Sequence, residues 1–185
     1  LAGAIVVNTR DADPREGWNA DMEWRGGNHG RNDWSVAIGM PLTESLALRL
    51  VAQTDRYEGD VSNVTLNDDQ WRQRTRRLQR IKMAWQPLDW YQADLSLQRT
   101  QLSSGPDFMS PELAEDYKAT DNERGYYKDD TDLIALRQTL SVNERLSFML
   151  LLSHSDTQNE RRGDYDISAD DNGFFLGETR IQNRS

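Results

Sequence analysis

The chain has 185 residues, a net charge of -9, no cysteine and two histidines. The lack of cysteine excludes disulfide frameworks, thiolate metal sites and cysteine nucleophiles, and the acidic balance argues against nucleic acid as a partner. Only 36% of the residues are hydrophobic, and the mean hydropathy is -0.85. This apolar content is small for a two-layer core, and no apolar run approaches the length of about 18 residues of a transmembrane helix.

The first part of the chain contains two predicted strands separated by a connector. Residues 1–10, LAGAIVVNTR, form a β-branched run typical of a buried strand, and the connector at 11–17 ends it with Pro14 and Gly17. Four apolar residues then alternate with polar ones and predict a first sheet strand, namely Trp18, Ala20, Met22 and Trp24. Residues 26–33, GGNHGRND, are predicted to form a loop of eight residues.

Three hairpins follow, and each has one apolar face. They span residues 34–55, 79–98 and 132–153, with tight turns at 41–45, 86–89 and 141–144. The acidic residues of these turns are expected to be solvated there, namely Glu44, Asp89 and Glu144. The opposite face carries polar and charged residues, namely Asp21, Glu23, Arg25, Arg49, Gln53, Arg80, Lys82, Gln92 and Asp94.

The connections between the hairpins are long and polar. Residues 55–76, 100–130 and 156–175 give loops of about 22, 30 and 20 residues, all at one end of the sheet. Short turns at one end and long loops at the other are typical of outer-membrane barrels. The predicted fold is all-β, an antiparallel up-and-down sheet of about seven strands that is part of a transmembrane β-barrel and not closed on its own.

Alternation alone does not decide whether the apolar face meets lipid or protein. A set of aromatic residues near the strand ends suits an interfacial girdle or equally the edge of a soluble sandwich, namely Trp18, Trp24, Trp34, Trp85 and Tyr91. The polar opposite face suits a barrel lumen. The alternative is a soluble all-β module that binds a ligand such as a carbohydrate, with its apolar faces packed together.

The start of the chain resembles the end of the plug domain of TonB-dependent outer-membrane receptors. A segment of the type A-G-A-I-x-V-x-T-(R/K)-(D/E)-P leads there from plug to barrel. The matching residues are Ala2, Gly3, Ala4, Ile5, Val7, Thr9, Arg10 and Asp11, whereas Ala12 and Asp13 separate this match from Pro14. The resemblance implies that residues 1–13 end the plug domain and that residues 14–185 begin a 22-stranded barrel.

The same resemblance implies a function. The chain is expected to be a fragment of a receptor in the bacterial cell outer membrane for active uptake of a scarce ligand such as a ferric siderophore. The implied partners are outer-membrane lipid, the TonB complex through the missing plug region, and a small ligand such as an iron chelate. No cofactor is expected, and no constellation of nucleophile, base and orienting group indicates an enzyme. An unclosed sheet is expected to carry out no transport alone.

Aromatic residues of the long loops are the predicted ligand contacts, because binding residues concentrate in loops. The candidates are Trp71, Tyr126 and Tyr127, with Phe108 and Tyr117 in the same loops. Five arginines, Arg72, Arg74, Arg76, Arg77 and Arg80, form the basic cluster of the sequence. They could meet an anionic ligand or lipopolysaccharide phosphates, but a rim of side chains snorkelling at the membrane boundary is favoured.

Metal binding is poorly supported by the sequence. The residues Ser168, Asp170, Asn172 and Gly173 resemble part of a calcium loop, but Thr179 stands where the EF-hand register requires glutamate. His154 is expected at a membrane interface, and His29 has no predicted partner. No metal site is therefore predicted.

Overall fold

The structure, a computed structural model, describes residues 9–106, 116–164, 169–170 and 176–184. These described residues contain ten strands: β1 (Asn19–Gly27), β2 (Arg31–Thr43), β3 (Leu46–Tyr57), β4 (Ser62–Asn63), β5 (Arg74–Leu88), β6 (Tyr91–Ser104), β7 (Lys118–Ala119), β8 (Tyr126–Asn143), β9 (Leu146–Asp164) and β10 (Leu176–Arg184). No helix in the described ranges is long and apolar enough to cross a membrane. The strand predicted at residues 1–10 lies mostly outside the described residues.

Eight strands form one antiparallel sheet in the order β1-β2-β3-β5-β6-β8-β9-β10. Consecutive long strands are neighbours, so the connectivity is up-and-down. Within the described residues, the outer sides of β1 and β10 pair with no other strand, and the sheet is open. The predicted all-β, antiparallel, unclosed sheet is therefore confirmed, with β10 as an eighth long strand.

The short turns lie where the sequence predicts them. Residues 44–45, 89–90 and 144–145 each join the two strands of one hairpin, and each hairpin has a register shift beside its turn. Two turns are fixed by a side chain that accepts from the backbone two residues later: Thr43 Oγ1 from Ser45 N at 3.2 Å, and Asn143 Oδ1 from Arg145 N at 2.9 Å. Glu44, Asp89 and Glu144 are exposed in these turns, as predicted.

The predicted eight-residue loop at 26–33 is wrong, because β1 and β2 meet in a tight turn. Arg31 N donates to Asn28 O at 3.2 Å, and the two central residues have positive φ, 55° at His29 and 64° at Gly30. Positive φ at both positions gives a type I′ turn, whose twist matches that of the flanking strands. Gly26 and Gly27 therefore belong to β1 rather than to a loop.

Strands also extend further into the predicted loops than the hydrophobic pattern indicates. The β8 strand has 18 residues and β9 has 19, so residues 156–164 are strand rather than loop. The connections at 58–73 and 105–125 also contain structure, because β4 and β7 pair in parallel. The prediction that these loops lack regular structure is therefore wrong.

The largest fully buried side chains lie in this pair of loops and not in the main sheet. Among the described residues, the largest fully buried side chains are Trp71, Val61, Asn63 and Asp121. Trp71, Val61 and Ala119 pack together. We call residues 58–73 with residues 117–124 the loop unit.

Candidate functional site

One face of the main sheet is apolar and open. Side chains at alternate positions of neighbouring strands share this face, and the register aligns them in rows across the sheet, for example Ile38, Leu50, Ile81, Leu97, Ile134 and His154. Large apolar side chains of this face remain exposed, among them Met22 at 79%, Ile81 at 45% and Leu150 at 52%. No second layer covers them within the described ranges, so a large apolar surface is left exposed, which is unfavourable in water.

This apolar band runs obliquely to the strands. On β2 it extends from Trp34 to Leu42, centred on the row of Ile38, whereas on β9 it extends from Leu146 to Leu152, below the row of His154. The band therefore moves by about five residues towards the short turns across five strand spacings. At about 3.3 Å per residue and about 4.8 Å per strand, the band departs from the perpendicular to the strands by roughly 35°. A level band on tilted strands has this geometry.

The opposite face carries charges that hold the segment preceding β1. Lys82 Nζ donates to Asp11 Oδ1 at 2.6 Å and to Thr9 O at 3.0 Å. Arg137 bonds Asp94 Oδ2 at 3.0 Å and reaches Asp11 Oδ2 at 3.4 Å. Ala12 is buried with two alanines of the same face, Ala47 and Ala84.

The Asp11 carboxylate is stabilised in its charged form by this arrangement. Partial burial tends to raise the pKa of Asp11, but the hydrogen bond and charge of Lys82, with the charge and hydrogen bond of Arg137, outweigh it. The pKa is therefore held below its ordinary value of 3.8. The docked segment is thus bound by ionised groups at neutral pH.

Towards the long-loop end, the polar face carries further pairs. Arg31 contacts Asp33 at 2.7 Å, and Arg76 contacts Asp55 at 2.7 Å. Gln53 also donates to Asp55 at 3.0 Å. These residues line an open cavity of about 620 Å³ together with Arg25, Tyr57 and Arg74. The pairing supports a wet, polar surface here.

The loop unit is joined by backbone and side-chain hydrogen bonds between segments far apart in sequence. Ser62 N donates to Tyr117 O at 3.1 Å, and Val64 N donates to Ala119 O at 2.9 Å. The buried Asn63 side chain donates to Asp121 O at 2.9 Å and accepts from Leu66 N at 2.7 Å. The two long connections are thereby fixed to each other.

The three predicted ligand contacts do not form one surface. The Trp71 ring is fully buried in the loop unit, so it lacks the exposure that direct ligand contact requires. Tyr126 and Tyr127 are adjacent in β8 and project to opposite faces of the sheet. The hydroxyl of Tyr127 donates to Asn159 Oδ1 at 3.1 Å, and Lys128 lies 4.7 Å from the Tyr126 ring centroid. Ligand contact by these two tyrosines stays a prediction.

The arginine cluster is also divided by the sheet. Arg74, Arg76 and Arg80 lie on the polar face of β5, whereas Arg77 lies on the apolar side. Arg72 precedes the strand and is 3.9 Å from Asp60. The arginines that are close in sequence therefore do not all share one face, because successive residues of a strand point to opposite sides of the sheet.

The remaining candidates carry no metal site in the described part of the chain, where no group of three or more potential ligands is found. Phe108, Ser168, Asn172 and Gly173 lie outside the described residues. The backbone oxygen of Asp170 accepts a hydrogen bond from Asn122 at 2.7 Å. His154 is exposed on the apolar face, and the His29 ring, for which no partner was predicted, lies 6.1 Å from the Tyr57 ring.

Sequence reasoning missed the residues that join distant parts of the chain. Arg137 was not predicted to contact Asp11, because 126 positions separate them. Asn63 and Asp121 lie within the predicted loops at 55–76 and 100–130. No local signal marks either contact, although the polar alternation placed Lys82 and Asp94 on one face.

Comparison with known proteins gives no relative from which to carry over a role. No protein-family model matches the chain, no curated protein matches it, and no solved structure matches it.

Proposed function

We propose that this chain forms part of the wall of a TonB-dependent outer-membrane receptor that takes up a scarce ligand such as a ferric siderophore. Residues 1–13 are the end of the plug domain, and residues 14–185 are the first part of the barrel. Further strands complete the barrel, because the open edges of β1 and β10 expose unpaired backbone groups that a bilayer does not tolerate.

One observation carries the membrane assignment. The exposed apolar band departs from the perpendicular to the strands by roughly 35°, as expected when tilted strands cross a bilayer and the band stays level with the bilayer surface. The band covers nine residues on β2, from Trp34 to Leu42, which is about the length of a tilted membrane-spanning strand. The packing of two sheets in a soluble sandwich does not require the edge of the apolar face to run obliquely across five strand spacings.

The plug assignment is supported by contact as well as by resemblance. The plug-like motif includes Thr9 and Asp11 and is followed by Ala12. All three residues contact the polar face of the sheet. In the proposed receptor this face is the wall of the lumen. The contacts are ionic and hydrogen-bonded, so they suit a wet lumen. The interior of a plugged barrel has this polarity.

The test is uptake in iron-starved cells. Radioactive iron is supplied on a panel of ferric siderophores to cells with and without the gene, each with and without functional TonB. Uptake of at least one chelate is expected only in cells that have both the gene and functional TonB. The protein is expected in the outer-membrane fraction. Recovery of the protein in a detergent-free soluble fraction, with uptake unchanged by its deletion, contradicts the proposal and favours a soluble binding module.

A further inference from the structure

Three arginines lie on the apolar side of the sheet, just beyond the apolar band. Arg56 is on β3, Arg77 on β5 and Arg99 on β6. The register puts each of them on the same face as Ile81 and Leu97. All three are exposed. This positive charge therefore faces the same side as the proposed lipid contact.

The three arginines step across the strands in the direction of the band edge. Arg56 pairs with Thr75, two residues before Arg77, and Arg77 pairs with Gln101, two residues after Arg99. Successive arginines are therefore diagonal neighbours, about 7–8 Å apart at the backbone. The line slopes towards the short turns as the apolar band does, by two residues per strand against about one for the band, so the three charges lie along the long-loop edge of the band.

Their charges are poorly neutralised. Arg77 has no ion pair and no side-chain hydrogen bond with any described residue. Arg99 is 3.8 Å from Asp132, and Arg56 is 3.3 Å from Glu58. Exposed pairs of this kind are weak in water. A strong anion can therefore displace these carboxylates from the guanidinium groups.

We infer that Arg56, Arg77 and Arg99 bind the phosphate of a membrane lipid headgroup, whose acyl chains lie on Ile81 and Leu97. Guanidinium groups bind phosphate oxygens in bidentate fashion, and their carbon stems pack along apolar surface. The adjoining apolar band favours a lipid over free phosphate, because only a lipid contacts both the arginines and the apolar band. The inference rests on the proposed function, since it requires the apolar face to lie in a bilayer.

The test compares lipids that differ only in phosphate. The full-length receptor, in which further strands complete the barrel, is inserted in phosphatidylcholine nanodiscs that contain lipid A or dephosphorylated lipid A, and the lipid retained on it is measured by native mass spectrometry. The wild type is expected to retain the phosphorylated form preferentially. The double variant Arg77→Gln with Arg99→Gln is expected to lower that preference about thirtyfold. Arg74→Gln is the matched control on the opposite face of β5, and it is expected to leave the preference unchanged.

Tryptophan quenching by brominated acyl chains, measured in the same samples, separates the two proposals. Quenching with an unchanged preference in the double variant overturns the phosphate site alone. The phosphate site is also overturned if Arg74→Gln lowers the preference for phosphorylated lipid A as much as the double variant does. It is overturned as well if millimolar inorganic phosphate displaces lipid equally from both faces of the sheet. An absence of quenching overturns the membrane assignment and this inference together.

Discussion

Replacement of Trp71 by alanine separates a structural role from a ligand-binding role. The ring is fully buried with Val61 and Ala119, between the connection that follows β3 and the connection that precedes β8. Truncation removes the largest side chain of this small core. We therefore expect Trp71→Ala to open the loop unit while the main sheet remains paired.

The magnitude follows from the buried area. A buried tryptophan removes about 200 Å² from water, which at about 25 cal/mol per Å² contributes about 5 kcal/mol. The indole Nε1 has no hydrogen-bond partner among the described residues, and burial of this unpaired group offsets part of the gain. The expected loss is about 3–5 kcal/mol of local stability, the usual range for tryptophan truncation in a core.

Hydrogen exchange measured by mass spectrometry shows in which segments of the chain this stability is lost. Amides of Ser62, Val64 and Trp71 donate within the loop unit, and their protection is expected to fall. Amides in the central part of β5 and β6 are expected to exchange as in the wild type. Val64→Ala is the control, because its side chain is 56% exposed in the same unit and its loss costs below about 0.5 kcal/mol. Unchanged exchange in Trp71→Ala refutes the reasoning.

Two further predictions concern the loop unit, and a third concerns the docked segment that precedes β1. Asn63→Ala removes one buried and one partly buried hydrogen bond and is expected to destabilise the loop unit by about 2–4 kcal/mol, measured by the same exchange experiment. Gly105→Ala puts a Cβ 2.1 Å from Trp71 O, so it is expected to destabilise the unit by about 1–3 kcal/mol, seen as faster proteolysis of residues 58–73. The folded pKa of Asp11 is lowered, so its contribution to docking is complete above about pH 3.8 and is lost as pH falls through the lowered value. A spin label at position 9 is expected to stay immobile down to pH 4 and to become mobile below it. Mobility that changes near neutral pH, or that Asp11→Asn leaves unaltered at pH 7, contradicts this.

The main sheet follows from the sequence because its signal is local. Alternation within residues 34–55 fixes which side chains share a face, and it also fixes the register of β2 with β3. The same alternation fails in residues 156–164, where both faces of β9 are polar. Strand and loop have the same composition there, so the strand is recognised only by its pairing with β8 and β10.

The loop unit was beyond prediction for a different reason. The strands β4 and β7 have two residues each, and about 55 positions separate them. Such short strands carry no periodic pattern, and their pairing depends on tertiary contact. Trp71 consequently looked like an exposed loop aromatic, although it is the centre of a core. The type I′ turn at His29 and Gly30 was nearer to recognition, since glycine there permits positive φ.

The central claim is that one face of the sheet meets lipid and the other meets water. The chain has no cysteine, so single cysteines can be introduced along β3 and spin-labelled in a bilayer without a competing site. Labels at Leu48, Leu50 and Ala52 are expected to be relaxed by oxygen, which concentrates in lipid. Labels at Arg49 and Gln53 are expected to be relaxed by a water-soluble nickel chelate. An accessibility profile without this period of two, or with both faces open to the chelate, contradicts the account.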